Sequence, residues 1–430
     1  MPRLFLWVVI VLAAFGATAE PLLEAPALRP DQVVGDLQVW AWNIAAGSLN
    51  TLVPGFRRVY PNCQVNVHMS GANLQSRFLL SLSAGVGAPD ISQLQIREAP
   101  RYSVTGRLAD LTDVARKYET MFPASFWQDC VHDGRVYALP WDMGPCAVFY
   151  KRGVFDRYGI NPETIETWDD YIAAGRELAK RSQGKTKMLC LATGNMGDFF
   201  ELLMQQNNAQ IFDAQGRVTI DSPEMLDVMA LLKKMVASGI GANVSPWGPE
   251  FLASLKSDTV ATYPTAAWFG GTIRDYAPDT SGTWGVFRLP AFRPGGLRTS
   301  NLGGSVLVIP DQCTQKLAAW KYIEYALCTP GPQIEQYRNF DLFPALTTTH
   351  NDPFFDEDVP FFGGQKVRRL FSMDIDKIPA MNRTTDWMEA TRYITQALSK
   401  WATGDLEDPA ILLKRLEDKL TRRLNRTVAP

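Results

Sequence analysis

Residues 133–159 run DGRVYALPWDMGPCAVFYKRGVFDRYG, and the fold turns on them. Asp133-Gly134 supplies the positive φ that a tight hairpin needs. The Pro-rich PWDMGP at 140–145 reads as a break, after which 146–150 is a short apolar strand. Upstream, LQVWAW at 37–42 reads as a strand, and QVNVHM at 64–69 alternates apolar with polar as a half-buried strand does. A helix is expected between them at 48–60, with Ser48 or Asn50 near its cap and Pro54 in its first turns. A further helix at 74–84 stops at Gly85, and 90–94 is a strand. Downstream, Thr-Trp-Asp-Asp opens a helix at 167–180, and Ser-Pro-Glu opens another at 222–237 that stops at Gly239. Strands at 188–192, 258–263, 283–287 and 306–309 are separated by helices at 197–206 and 266–276. Helices at 315–327, 384–401 and 408–424 close the chain, and 288–301 and 348–364 read as loops. Strands alternating with helices predict an α/β protein with a parallel-rich sheet.

The length of 430 residues exceeds what one hydrophobic core holds, about 250–300 residues, so more than one domain is expected. Apolar residues at 46% and charged residues at 20% exclude a disordered chain. A balance of 43 basic against 45 acidic residues lacks the basic excess of a nucleic-acid binder and the acidic excess of a polyanion mimic. Twelve Trp, 13 Tyr and 22 Phe point to large cores and to binding surfaces that are part apolar, part polar.

Arg3, the apolar run 4–15 and Gly16-Ala17-Thr18-Ala19 have the layout of a secretory signal peptide. Residues 1–19 are expected to be removed, leaving 21–35 as a loose leader. The run falls short of the ~20 residues that span a membrane, and no Cys at the cleavage point indicates a lipid anchor. Export makes Cys63, Cys130, Cys146, Cys190, Cys313 and Cys328 candidates for disulfides, with the pairing open. One pair is disfavoured: the helix between Cys313 and Cys328 would hold them roughly 22 Å apart, beyond the ~7 Å reach of a bridge. No C-x-x-C occurs, and His68, His132 and His350 are scattered, so no metal site is expected.

The ordered segments VWAW (39–42), VNVHM (65–69), GAPDISQL (87–94), GRLADL (106–111), the 133–159 stretch, TWDDYIAAGREL (167–178), TAAWFGG (265–271), NLGGSVLVI (301–309) and AAWKYIEYAL (318–327) carry a resemblance. The chain resembles, from about 37 to 424, the extracellular solute-binding proteins of bacterial ABC sugar importers, and within them the maltose-binding-protein-like and lactose-type group. The resemblance implies a two-lobed periplasmic binding protein fold of α/β class, with a hinge and an interlobe ligand cleft. The N-lobe would be 37–145 plus 305–342 and the C-lobe 146–302 plus 345–425, with hinge crossings near Cys146, Gly303 and Pro344. It implies a periplasmic monomer that captures a sugar or oligosaccharide by lobe closure and hands it to ABC permease subunits, without catalysis, cofactor or nucleic acid. Cys190 would then lie away from the other five cysteines and is expected to be a free, buried thiol.

A sugar ring has apolar C–H faces and an equator of hydroxyls, so its site needs flat aromatic faces and placed donors and acceptors. Trp42 and Asn43 end the first strand, where open α/β sheets place ligands. Asn73 is a ligand contact or the cap of the helix that follows. Gln93 and Gln95 end the strand at 90–94; the family often carries an acid near Gln95, so that hydroxyl contact is in doubt. Asp142 is the main polar candidate, a turn carboxylate being the other reading. By resemblance Trp268 in TAAWFGG and Trp387 in RTTDWMEA stand at stacking positions, against plain core packing. Gly303 and Gly304 let backbone approach a ligand, or serve as a joint. Trp247, Asn195 and Arg383 are further lining candidates. A second reading keeps the fold but takes glycerol phosphate or another polyol phosphate, for which Arg97 and Arg383 would supply the cations. A third, a secreted carbohydrate-active hydrolase, needs two carboxyls facing one bond. Asp142 has no second acid among these positions, and no G-x-S-x-G, H-E-x-x-H or P-loop occurs.

Overall fold

The computed structural model of the chain describes residues 28–71 and 73–429; the signal segment expected at 1–19 lies outside them. The strands are β1 (Gly35–Ala41), β2 (Cys63–Met69), β3 (Ile91–Gln95), β4 (Val131–His132), β5 (Arg135–Val136), β6 (Ala138–Met143), β7 (Cys146–Lys151), β8 (Lys187–Cys190), β9 (Gly241–Ala242), β10 (Val260–Ala266), β11 (Trp284–Arg288), β12 (Ser305–Val308) and β13 (Phe343–Pro344). In β1, Leu37, Val39 and Ala41 are fully buried on one face, the period of two that its sequence shows. β4 and β5 form the hairpin, with Asp133 at φ 47° and Gly134 at φ 74°.

Two sheets result. The larger has the order β13-β6-β12-β3-β1-β2 and the smaller β11-β7-β10-β8-β9. Both are mixed rather than mainly parallel. β1 pairs in parallel with β2 and β3, while β12 runs antiparallel to β3 and β6. β7 runs antiparallel to β10 and β11. The reason is topological: β12 re-enters the larger sheet from the smaller one, and so meets its neighbours head to tail.

The sheets are joined by crossing strands. Leaving β6, the chain enters β7 within three residues, and it returns to β12 through 300–304. Leu302 N–H donates to Gly144 O at 2.8 Å and Cys146 N–H to Ser300 O at 2.9 Å. Asn301 ties both strands: its Oδ1 accepts from Gly144 N–H at 2.8 Å, and its Nδ2 donates to Gly303 O at 2.9 Å. A third passage follows β13, where Ala345 N–H donates to Trp141 O at 3.1 Å. Beyond it, Phe362 and Phe371 pack on Phe149 of β7, at 5.9 and 5.6 Å between ring centroids, while Phe354 packs on Tyr337 of the Pro330–Phe340 helix at 5.6 Å. The segment after β13 therefore touches both halves.

Four expectations are corrected. The first helix is Asn43–Val59, so Pro54 sits in its interior and not in its first turns. Residues 138–143 are a fully buried strand rather than a break, because Pro140 lies where β6 pairs with β12 at a register shift that needs no regular ladder. A helix absent from the sequence reading occupies Pro330–Phe340. All six cysteines are unpaired thiols, and Cys190 is half-buried rather than buried. The Lys316–Leu327 helix does separate Cys313 from Cys328.

At the crossing no side chain fits: a Cβ on Gly144 would lie 1.9 Å from Leu302 O. Gly144→Ala is therefore expected to cost about 2–4 kcal/mol in urea unfolding. Gly153→Ala, in a helix with nothing within 4 Å of the added carbon, should change stability by less than about 1 kcal/mol.

Candidate functional site

Beyond Asn301 the returning strand gathers most of the sequence candidates. Trp268, at the end of β10, donates its indole N–H to Leu302 O at 3.0 Å, which fixes the ring plane. Gly303, at φ 82°, lies against that indole: a Cβ there would be 3.5 Å from Trp268 Nε1. Gly304, at φ 102°, has Asp142 O and Phe126 Cε1 where its Cβ would go, at 2.8 and 2.9 Å. Both glycines are thus required by conformation, and the second also by space. Gly304 O accepts from Ile96 N–H at 3.0 Å, which brings the end of β3 alongside.

The polar groups follow. Gln93 uses both ends of its amide: Nε2 donates to Ser305 Oγ at 2.8 Å and Oε1 accepts from Trp42 N–H at 3.0 Å. Gln95 Oε1 accepts from Arg97 Nε at 2.8 Å. Asp142, paired in register with Ser305, is buried, and its Oδ1 has no hydrogen-bond partner. Burial pushes the Asp142 carboxyl up to about 6, partly offset by hydrogen bonds from Ser305. An unpartnered buried carboxylate oxygen is an acceptor waiting for a donor.

The structure thus brings together Trp42, Gln93, Gln95, Asp142, Trp268, Gly303 and Gly304. Asn43 opens the first helix next to Trp42. Asn73 stands exposed before the Leu74–Ala84 helix and makes no side-chain cap hydrogen bond. Trp387 is not on this surface. It lies 1% exposed in the core cluster of the second lobe, with the Arg383 guanidinium over its ring at 5.3 Å from the centroid and its indole N–H unpartnered. The resemblance implied a stacking position for it; in the structure the ring at the start of the Trp387–Thr403 helix is buried.

Beside Trp268 is a cavity of about 100 Å³ lined by Trp247, Phe251, Tyr263, Trp268, Phe269 and Asn195. The Trp247 and Trp268 ring centroids are 5.8 Å apart with planes 31° from parallel. Trp247 is half exposed and held at φ 66°, a left-handed conformation that costs a bulky residue roughly 1–2 kcal/mol. Asn195 and Asp198 are shared with an adjoining cavity of about 330 Å³ that also meets Arg97 and Glu201. Both guanidinium groups of the phosphate reading face carboxylates. Arg97 bonds Glu201 at 2.9 Å, and Arg383 bonds Asp129 at 2.5 Å, with Glu201 at 3.7 Å. Sequence reasoning missed Asp129, Asp198 and Glu201; the only trace of them is the i, i+3 spacing of Asp198 and Glu201, which puts both on one helix face. A larger groove of about 660 Å³ lies between the last two helices, away from these residues, and its cations and acids partly pair with each other, as Arg415 does with Glu407.

Two α/β lobes, joined by short crossing strands and holding an aromatic cavity with placed polar groups beside the crossing, define a two-lobed solute-binding protein. The chain belongs to the bacterial extracellular solute-binding protein family, whose model matches residues 42–329. It is 25% identical over 342 residues, 78% of this chain and 75% of the relative, to the arabinooligosaccharide-binding protein of Halalkalibacterium halodurans. It is 24% identical to the lactose-binding protein of Rhizobium radiobacter, over 90% of this chain and 92% of that one. Among solved structures it is similar to the ABC transporter associated binding protein of B. animalis subsp. lactis in complex with beta-1,6-galactobiose. That match has a TM-score of 0.77 at 24% identity, over 92% of this chain and all of that one. It is also similar to the galacto-N-biose-/lacto-N-biose I-binding protein of Bifidobacterium longum, with a TM-score of 0.76 at 20% identity, over 93% and 100% of the two chains. Among the described residues no helix is long and apolar enough to cross a membrane.

The Asp142 environment has a measurable signature. Its folded value of about 6 lies above the ordinary 3.8, so the folded chain holds this proton more tightly than the unfolded chain. Its contribution to stability is therefore greatest below about pH 4, falls as pH rises to about 6, and stays low above that. Relative to wild type, Asp142→Asn should gain on the order of 2 kcal/mol at about pH 7.5 and nothing near pH 4, as read by urea unfolding of the ligand-free chain at the two pH values.

Proposed function

We propose that the chain is the periplasmic carbohydrate-binding component of an ABC importer, a monomer that captures a sugar or oligosaccharide between its lobes and delivers it to the membrane permease. In this reading the lobes are 37–145 with 305–342 and 146–302 with 345–425, turning about the crossings near 146, 303 and 344. The observation that carries it is the pairing of a fixed indole, Trp268, with an unpartnered buried acceptor, Asp142 Oδ1, across Gly303 and Gly304. The indole suits a C–H face and the carboxylate a hydroxyl. Trp42, Asn43, Asn73, Gln93 and Gln95 complete the first-lobe side, and Trp247 and Asn195 the other.

Support comes also from relatives named for arabinooligosaccharide and lactose binding. The polyol-phosphate reading loses its cations, since Arg97 and Arg383 are engaged by Glu201 and Asp129. Closure acts by population shift: a ligand touching both lobes favours the closed state, and the permease reads that shape without any change to the solute.

A thermal-shift screen tests this. A neutral mono- or oligosaccharide should raise the unfolding midpoint with concentration, while glycerol phosphate should not; a shift with the phosphate alone would overturn the carbohydrate reading. Trp268→Ala should weaken binding of the sugar so found by about tenfold or more, while the ligand-free midpoint falls by only a few degrees. The check is calorimetric titration alongside melting of the free protein.

A further inference from the structure

Beside the cavities, charged side chains of both lobes form one continuous row. Arg97 stands in the turn after β3. Its Nε donates to Gln95 and its Nη1 lies 2.9 Å from Glu201 Oε2 and 3.9 Å from Asp198 Oδ1, both on the Gly197–Gln206 helix of the other lobe. The second carboxylate oxygen of Glu201 faces Arg383 Nη2 at 3.7 Å, and Arg383 returns to the first lobe through Asp129 at 2.5 Å. The row therefore crosses between the lobes twice, and Glu201 links the two crossings through Arg383.

The two crossings differ in their access to water. Arg383 and Asp129 are 4% and 2% exposed; in the outer pair Glu201 is also buried, at 8%, but Arg97 is 27% exposed at the edge of a cavity. Separating the inner pair would strand a buried charge without a partner, which is costly. Separating the outer pair returns the partly exposed Arg97 guanidinium to solvent and leaves the buried Glu201 facing Arg383 at 3.7 Å, so neither charge is stranded alone. Gln128 Nε2, next to Asp129, also donates to Met381 O at 2.6 Å, two residues from Arg383, so the inner crossing gains a part-buried hydrogen bond, whereas the outer one gains only the longer approach of Arg97 to Asp198 at 3.9 Å.

We propose that Arg97–Glu201 is the latch of the closed state, made and broken as the lobes close and open, and that Arg383–Asp129 is a permanent clamp between them. This rests on the solute-binding reading above. Arg97 is then a positioning residue: it sets how much of the chain is closed and leaves the choice of ligand to Trp268 and Asp142. Apparent affinity scales with the competent fraction, so loss of the latch weakens every ligand by one common factor.

The test uses Arg97→Gln, Arg97→Lys and Arg383→Gln in the full mature chain. For each saccharide that shifts the wild-type midpoint, Arg97→Gln should raise Kd by the same factor, about tenfold, mainly through faster dissociation, with the urea midpoint of the free protein unchanged. Arg97→Lys should recover most of the affinity. Arg383→Gln should instead lower the urea midpoint. A factor that differs between saccharides would make Arg97 a ligand contact and overturn the latch, as would unchanged affinity or a loss of stability matching that of Arg383→Gln. Small-angle scattering of the ligand-free chains separates this from failure of the sugar reading. Arg97→Gln should increase the radius of gyration even if no saccharide binds, and identical curves for the two proteins would overturn the latch alone.

Discussion

Two backbones meet at Gly144 and Leu302 more closely than any side chain allows, and the rest of the molecule is registered from that contact. Asn301 holds both strands, Leu302 O takes the indole of Trp268, and the next residues, Gly303 and Gly304, turn in conformations that deliver Ser305 beside Asp142. A hinge and a binding surface are usually separate parts of a fold. In the reading proposed above they are consecutive residues leading into one strand, and a rotation at the crossing would move the Trp268 indole relative to the Asp142 carboxylate. The coupling of ligand contact to lobe angle needs no longer route than these few peptide units.

The electrostatics point the same way. A cleft that took an anion would keep at least one cation without a carboxylate partner. The row Asp129–Arg383–Glu201–Arg97 does the opposite, pairing each guanidinium with a carboxylate of the other lobe. Within the row Arg383 Nε is left without a partner, and outside it so is an acceptor, Asp142 Oδ1, in surroundings dry enough to raise its proton affinity. Desolvating that oxygen is unfavourable in the free protein and is relieved by a donor in the ligand. A hydroxyl is such a donor and a phosphate dianion is not. In the reading proposed above that burial favours a hydroxyl placed against Asp142 Oδ1 and disfavours an anionic group there.

Much of this was legible in sequence, and the rest failed for identifiable reasons. Period-two and period-3.6 patterns located β1, β2 and the C-terminal helices, because one buried face dominates each of them. The strand at 138–143 was hidden by Pro140 and the flanking Gly144-Pro145, residues that ordinarily end strands; only the irregular pairing with β12 makes room for them. The resemblance pointed to Trp268 and local motifs to Asp142 and the two glycines, and the structure places these four close to the crossing. The resemblance also pointed to Trp387, which the structure buries with the Arg383 guanidinium over its ring, a neighbour that the local sequence does not predict. The acids at 129, 198 and 201 carried no motif at all. Their meaning comes from the lobe opposite, which no local pattern contains.

The two indoles of the cavity differ in how they are held, and that difference has a physical rationale. Trp268 is locked by its hydrogen bond to Leu302 O, so its face loses no rotamer freedom when something stacks on it, which is the usual benefit of preorganisation. Trp247 sits in a left-handed backbone conformation that nothing about its half-exposed side chain requires. Its ring contacts Phe251 at 5.6 Å, Trp268 at 5.8 Å and Phe269 at 6.4 Å between centroids. At roughly 0.5–1.5 kcal/mol for each aromatic pair, these contacts are of the size needed to offset the roughly 1–2 kcal/mol of backbone strain. The strained backbone is thus retained for where it puts the ring: close against a rigid neighbour, with one face outward. In the reading proposed above a ligand would meet one plate already fixed by its hydrogen bond and a second that is half exposed, so stacking on the pair would cost little further order.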